Sequence, residues 1–210
     1  MKKVLIYGDS NVWGDNFLTG VRIPDEKQWP NILQKKIGSN FKILAEGLPG
    51  RLAGDSEKIK VYKNGCLSFP SVFRTCGPVD ILIIALGTND LQLKYNCSAS
   101  EIVDSLIWYE SDLKKIYEDL DDRKKYFVNE KMPNIIYLLP PSFDYLGGAF
   151  GIFDKNSDIE RKNIKNIFCK KSKNKFIDLG DIPLEKDGIH FNYEGHEKVA
   201  DLVLELLKNE

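Results

Sequence analysis

Two histidines stand in 210 residues, at positions 190 and 196, so chemistry that needs an imidazole base must use one of them. The four cysteines, Cys66, Cys76, Cys97 and Cys169, form no CxxC pair and show no other close metal-ligand spacing. They read as structural or incidental thiols, not as a zinc site or a disulfide frame. Charge of one sign is missing as well: 30 basic against 31 acidic residues leave a formal net charge of −1. That balance gives no electrostatic case for nucleic acid or an anionic membrane as partner. Long apolar runs are absent. Met1-Lys2-Lys3 is followed by only four apolar residues before Gly8 and Asp9, too few for an export signal, and no later stretch is long enough to span a membrane. The expected location is cytoplasmic. Neither GxGxxG nor GxxxxGK[ST] occurs, which removes the usual phosphate-binding loops. With no Gly/Ser/Pro-rich linker or break in composition, residues 1–210 are expected to form one domain, and nothing in them sets an oligomeric state.

At 42% hydrophobic and 29% charged residues, the chain can bury a substantial core without covalent staples. Its apolar segments alternate in period. Val4 to Tyr7, Phe41 to Ala45, Val79 to Leu86, Asn134 to Leu139 and Lys175 to Asp178 read as strands. Pro140-Pro141 is expected to stop the fourth. Between them, residues 28–37, about 153–171 and 192–208 have helical spacing, and Ser100 to Asp121 reads as one long amphipathic helix whose aromatics pack the core. Residues 55–77 are ambiguous, with a short buried helix possible from Leu67 to Phe73. The basic run Lys170 to Lys175 suits a solvated helix end. Strand and helix in alternation predict a three-layer α/β/α sandwich around a parallel sheet of about five strands. Loops after successive strands then gather on one edge of the sheet.

Four of those loops are rich in polar and small residues. Gly8-Asp9-Ser10-Asn11 follows the first strand in what reads as a long loop from 9 to 26, and places a serine just past a strand end, before any helix. Ser10 is a candidate nucleophile, and an ordinary turn is the other reading. Glu46 to Gly54 holds three glycines and a proline in nine residues, allowing close backbone approach to a ligand or simply a connection. Gly87-Thr88-Asn89-Asp90 ends the most apolar strand. In Asp187-Gly188-Ile189-His190 a tight turn can fold the carboxylate of Asp187 onto Nδ1 of His190 and leave Nε2 free to take a serine proton, although a surface turn before a capping Asn192 has the same composition. His196, with Glu197 and Lys198 beside it, is expected on the surface of the last helix. Backbone N–H groups of Ser10 and Gly50 and the side-chain amide of Asn89 can converge as donors for an oxyanion. Gly50 as a turn glycine and Asn89 as a turn former or cap are the plainer readings.

Taken together, Gly8-Asp9-Ser10-Asn11, Gly47-Leu48-Pro49-Gly50-Arg51, Gly87-Thr88-Asn89-Asp90 and Asp187-Gly188-Ile189-His190 resemble, in order and spacing, the four signature blocks of the SGNH (GDSL-type) hydrolases. The resemblance spans nearly the whole chain, and its Glu-Gly-Leu-Pro-Gly-Arg form is most similar to the arylesterase-like branch. It implies a flavodoxin-like α/β/α fold and a serine esterase that needs no metal or organic cofactor. Ser10 would be the nucleophile, His190 the base and Asp187 its orienter, with Ser10, Gly50 and Asn89 as the oxyanion hole. The implied partner is a small-molecule ester, with a short acyl group, acetyl foremost, and lipase, thioesterase or carbohydrate deacetylase activity as alternatives. A non-catalytic flavodoxin-like ligand-binding domain is the reading from another class. Asn11, Trp13 and Phe143 are candidate substrate contacts, the aromatic pair, like Tyr145, equally able to wall a pocket or seal the core. Two departures stand out: Asn11 replaces the leucine of many members, and Ala45 stands where an asparagine often opens the second block. Val12 also breaks the Gly-x-Ser-x-Gly elbow of the α/β-hydrolase fold.

Overall fold

In the computed structural model, which describes every residue except Asn209, five parallel strands form one sheet in the order β2-β1-β3-β4-β5. They are β1 (Lys2–Gly8), β2 (Phe41–Gly47), β3 (Ile81–Ala85), β4 (Asn134–Pro141) and β5 (Lys175–Gly180). Seven helices accompany them: α1 (Ser10–Trp13), α2 (Trp29–Ile37), α3 (Gly65–Cys76), α4 (Ala99–Glu118), α5 (Leu120–Tyr126), α6 (Lys155–Lys171) and α7 (Tyr193–Leu207).

Period-two alternation divides the core. Leu5, Tyr7, Leu82, Ile84, Tyr137 and Leu139 face α3, α4 and α6, whereas Val4, Ile6, Ile81, Ile83, Ile136 and Leu138 face α2 and α7. Both faces of the central strands are therefore apolar, as expected for a parallel sheet covered on each side. β1, β2 and β3 end level, with Gly8 paired to Gly47 on one side and to Ala85 on the other. Everything that follows those residues emerges along one edge.

Several elements differ from the sequence expectation. β4 continues through both prolines because its pairing with β3 has ended at Tyr137, so the absent N–H groups interrupt no ladder on that side. The expected long helix breaks at Asp119, whose carboxylate accepts from the backbones of Asp121 and Asp122 and starts α5. The head of α4 does not differ: of the two serines able to cap it, Ser98 and Ser100, Ser98 does so in a capping box with Glu101. The loop after β1 opens with a helical turn, α1, so Ser10 is its first residue, capped by Asp9 and closed by Gly14 at φ +83°.

His196 is not on the surface: it is 1% exposed, its Nδ1 accepts the backbone N–H of Trp29 at 3.3 Å, and its ring meets Phe191 edge-on. Glu197 and Lys198 misled because adjacent residues lie on different helix faces, whereas His196 shares its face with Val199, Ala200 and Val203. Burial drives its pKa down to about 4, so it is neutral in the folded state. An unfolded histidine charges below about pH 6.5. Stability from this group is thus complete above that pH and is lost as pH falls towards 4, by about 3 kcal/mol across the window. Asp9 and Asp90, both pushed up to about 6 by burial, act with the opposite sign, since their folded forms hold protons more tightly than the unfolded chain. The difference between wild type and His196→Phe isolates the histidine. In urea titrations, wild type should lose about 2–3 kcal/mol relative to the variant between pH 7 and pH 4.5. A pH-independent difference would contradict a neutral, buried imidazole.

Candidate active site

The backbone at the end of β1 is crowded. A Cβ on Gly8 would lie 2.2 Å from Val12 Cγ2 and 2.9 Å from the Ala85 carbonyl oxygen, so only glycine lets α1 fold back over the strand end. Asp9 caps that turn by accepting the Asn11 N–H at 3.0 Å. Ser10 is thereby fixed at the first helical position, 6% exposed.

Beyond β2, Gly50 has φ +76°, a conformation that favours glycine. Its loop is held by Arg51, whose buried Nη1 donates to the carbonyls of Gly8 (2.9 Å) and Glu46 (2.6 Å), while the guanidinium lies 4.1 Å from the centroid of the Tyr7 ring. Where the second block lacks its usual asparagine, Arg51 ties the loops after β1 and β2 together. The turn after β3 joins the same assembly. Asp90 accepts the N–H groups of Ala53 (2.9 Å) and Gly54 (3.3 Å), and Asn89 donates from Nδ2 to the Arg51 carbonyl at 3.1 Å. Gln92 donates to Asn89 Oδ1 at 2.8 Å and so fixes the orientation of the amide. One of the two Nδ2 hydrogens is then occupied by Arg51, and the other has no acceptor among the described residues.

After β5 the chain turns at Gly188, φ +68°, and Asp187 Oδ1 accepts the N–H groups of Ile189 and His190 at 3.0 Å each. Its other oxygen meets His190 Nδ1 at 2.5 Å, and His190 Nε2 lies 3.0 Å from Ser10 Oγ. Asn11 bridges the two segments, accepting the Phe191 N–H at 2.9 Å and donating to the Ile189 carbonyl at 3.4 Å.

The electrostatics follow from these contacts. Burial opposes ionisation of Asp187, but the hydrogen bonds from the His190 ring and from the His190 and Ile189 backbones outweigh it and hold the carboxyl below its ordinary range. For His190, burial disfavours the cation, yet the bond and charge of Asp187, with Asp15 and Asp9 behind it, raise the pKa above 6.5. Asp15 stands 3.9 Å from Nε2.

Ser10, Gly50, Asn89 and His190 line a single open cavity of about 420 Å³, with Asp187 behind the imidazole. The loop after β4 adds Gly151 and Ile152 to its wall. The other three candidates lie elsewhere. Asn11 serves the loop contacts just described, Trp13 has the Arg22 guanidinium 5.6 Å from its ring centroid, and Phe143 is buried and stacked on Phe153 at 4.1 Å. Asp15, Lys63, Gln92 and Lys94 line the cavity without having been singled out from the sequence. For Asp15, Gln92 and Lys94 the only signal was position beside or within the strand-end loops, and Lys63 had none. A hydroxyl within hydrogen-bond reach of an imidazole, itself held by a carboxylate, in a cavity also lined by an asparagine amide, is an arrangement able to carry out acyl transfer.

That chemistry and the parallel α/β/α sheet define a class that comparison makes specific. The chain belongs to the GDSL-like lipase/acylhydrolase family, whose model it matches over residues 4–203, and so to a family of carboxylic ester hydrolases. Solved structures agree in fold. An aryl esterase from M. smegmatis has 21% identity and a TM-score of 0.83, covering 100% of this chain and 99% of the other. A carbohydrate acetylesterase family member from Sinorhizobium meliloti has 25% identity and a TM-score of 0.82, covering 100% and 98%. A lipase/acylhydrolase from Enterococcus faecalis, at 20% identity, has a TM-score of 0.67 over 100% and 96%. No curated protein matches the sequence. No helix among the described residues is long and apolar enough to cross a membrane.

Proposed function

We propose that this esterase cleaves a short-chain carboxylic ester, acetyl foremost, through an acyl-enzyme on Ser10. The observation that carries the reading is the relay from Asp187 through His190 to Ser10 Oγ, at 2.5 and 3.0 Å. Ser10 Oγ attacks the ester carbonyl carbon as its proton passes to His190 Nε2. The resulting oxyanion is held by the N–H groups of Ser10 and Gly50 and by the Asn89 amide. Collapse breaks the bond to the alcohol oxygen, which leaves with the proton from His190. Water then attacks the acyl-enzyme in the same way and releases the acid and free Ser10.

The similar folds of an aryl esterase and a carbohydrate acetylesterase support acetyl as the acyl group with an aryl or sugar alcohol, and the cavity of about 420 Å³ has room for such an ester. Asp187 is the orienter in this scheme, and Asn11 positions the base by holding the backbone on either side of His190.

A fluorophosphonate probe should label the folded protein stoichiometrically at Ser10, located by peptide mass spectrometry. Hydrolysis of 4-nitrophenyl esters should peak at two to four acyl carbons. Folded protein that takes up no label would favour a ligand-binding domain without chemistry, and a peak at ten carbons or more would overturn the short-acyl assignment.

A further inference from the structure

The cavity has a charge pattern that ester cleavage alone does not use. Its carboxylate, Asp15, faces His190 at 3.9 Å. Lys63 and Lys94 also line it. Lys63 is half-buried, and among the described residues no carboxylate lies within 4.0 Å of its ammonium. Lys36, Lys162, Lys171 and Lys175 by contrast each meet a carboxylate at 2.5–2.7 Å.

The backbone that carries this side chain is anchored next to the Gly50 loop. The N–H of Lys63 donates to the Lys60 carbonyl at 2.8 Å, and its own carbonyl accepts the Leu52 N–H at 3.0 Å, two residues beyond Gly50. The side chain lies over Gly50, where a Cβ would come within 2.9 Å of Nζ. A glycine at 50 thus leaves the space the ammonium occupies beside the proposed oxyanion donors. A half-buried cation at the cavity wall, without a counter-ion among the described residues, is suited to pair with an anion that arrives with the ligand.

We propose that Lys63, with Lys94 on the same cavity, recognises an anionic group on the substrate, so that the preferred esters are acidic. The inference rests on the serine-esterase reading and adds the substrate class. The anionic group would sit at the Gly50 end, away from Asp15, whose charge repels it.

Two matched pairs test the inference: 4-acetoxybenzoate against its methyl ester, with the charge on the alcohol side, and mono-4-nitrophenyl glutarate against 4-nitrophenyl pentanoate, with the charge on the acyl side. The readout is the ratio of kcat/KM for the charged ester to that for the neutral one. In at least one pair it should fall about tenfold from wild type to Lys63→Gln and further in Lys63→Glu. The wild-type ratio should also decline as salt is raised to about 1 M. Because each protein is its own control, a general loss of activity in a variant leaves the ratio readable. Identical ratios in wild type and both variants, with the neutral esters still hydrolysed, would overturn the anion site and leave the esterase reading standing. Absence of turnover on all four esters together with absence of fluorophosphonate labelling would sink both.

Discussion

Ser10→Ala should lose at least about 10⁴-fold in kcat on 4-nitrophenyl acetate, with KM little altered. The proposed acyl-enzyme requires the oxygen that this substitution removes, and no other hydroxyl stands at hydrogen-bond distance from His190 Nε2 among the described residues. His190→Ala should cost about as much, because the hydroxyl then has no base to take its proton. The double variant should be hardly worse than either single one, since the two groups act as a unit. Asn89→Ala removes one of three proposed donors and leaves the nucleophile intact, so its loss should be smaller, about 10²–10³-fold. Folding should survive Ser10→Ala, which deletes a single oxygen at the head of α1. Wild-type-like turnover by the purified variant would remove Ser10 from the reaction.

What was legible in the sequence was what depends on local chemistry. Apolar runs ending in Gly8, Gly47 and Gly87 marked strand ends, and alternation of strand with helix marked the layering. Parallel topology then forces the loops onto one edge, so Ser10, Gly50, Asn89 and His190 could be expected near one another although 180 residues separate the first from the last. What was not legible depends on which side a residue faces once packed. His196 has charged neighbours and a polar ring, yet it lies on the face of α7 that meets Trp29 and Phe191. Phe143 sits in a loop near the site, but stacking on Phe153 takes it into the core. Asn11 neighbours the proposed nucleophile but reaches across to the loop of the base instead of into the cavity. Lys63 was hidden for a similar reason. It follows a segment with no clear periodicity, and only the short 3₁₀ turn Val61–Lys63, hydrogen-bonded back to Leu52, brings it over Gly50.

Asp187→Asn should separate orientation from charge. In the wild type the carboxylate accepts the Nδ1 hydrogen of His190, which leaves Nε2 unprotonated towards Ser10. An asparagine can present its NH₂ to the ring instead and favour the opposite tautomer, which puts a hydrogen on Nε2 and blocks proton transfer from the serine. A loss of about 10³–10⁴-fold in kcat is expected, by analogy with the serine-protease triad. The pH profile gives a second, independent sign. The reaction needs neutral His190, whose pKa is held above 6.5, so wild-type kcat/KM should rise with pH to a plateau with its midpoint above 6.5. Removing the carboxylate takes away the bond and the charge that raise this pKa, while burial, which lowers it, remains. The midpoint should therefore move down in Asp187→Asn even as the plateau falls. A purely structural disturbance would lower the plateau without imposing that direction. An unchanged or raised midpoint would mean that Asp15 and Asp9, the remaining carboxylates near the ring, set its charge, and that Asp187 has no electrostatic hold on the proposed base.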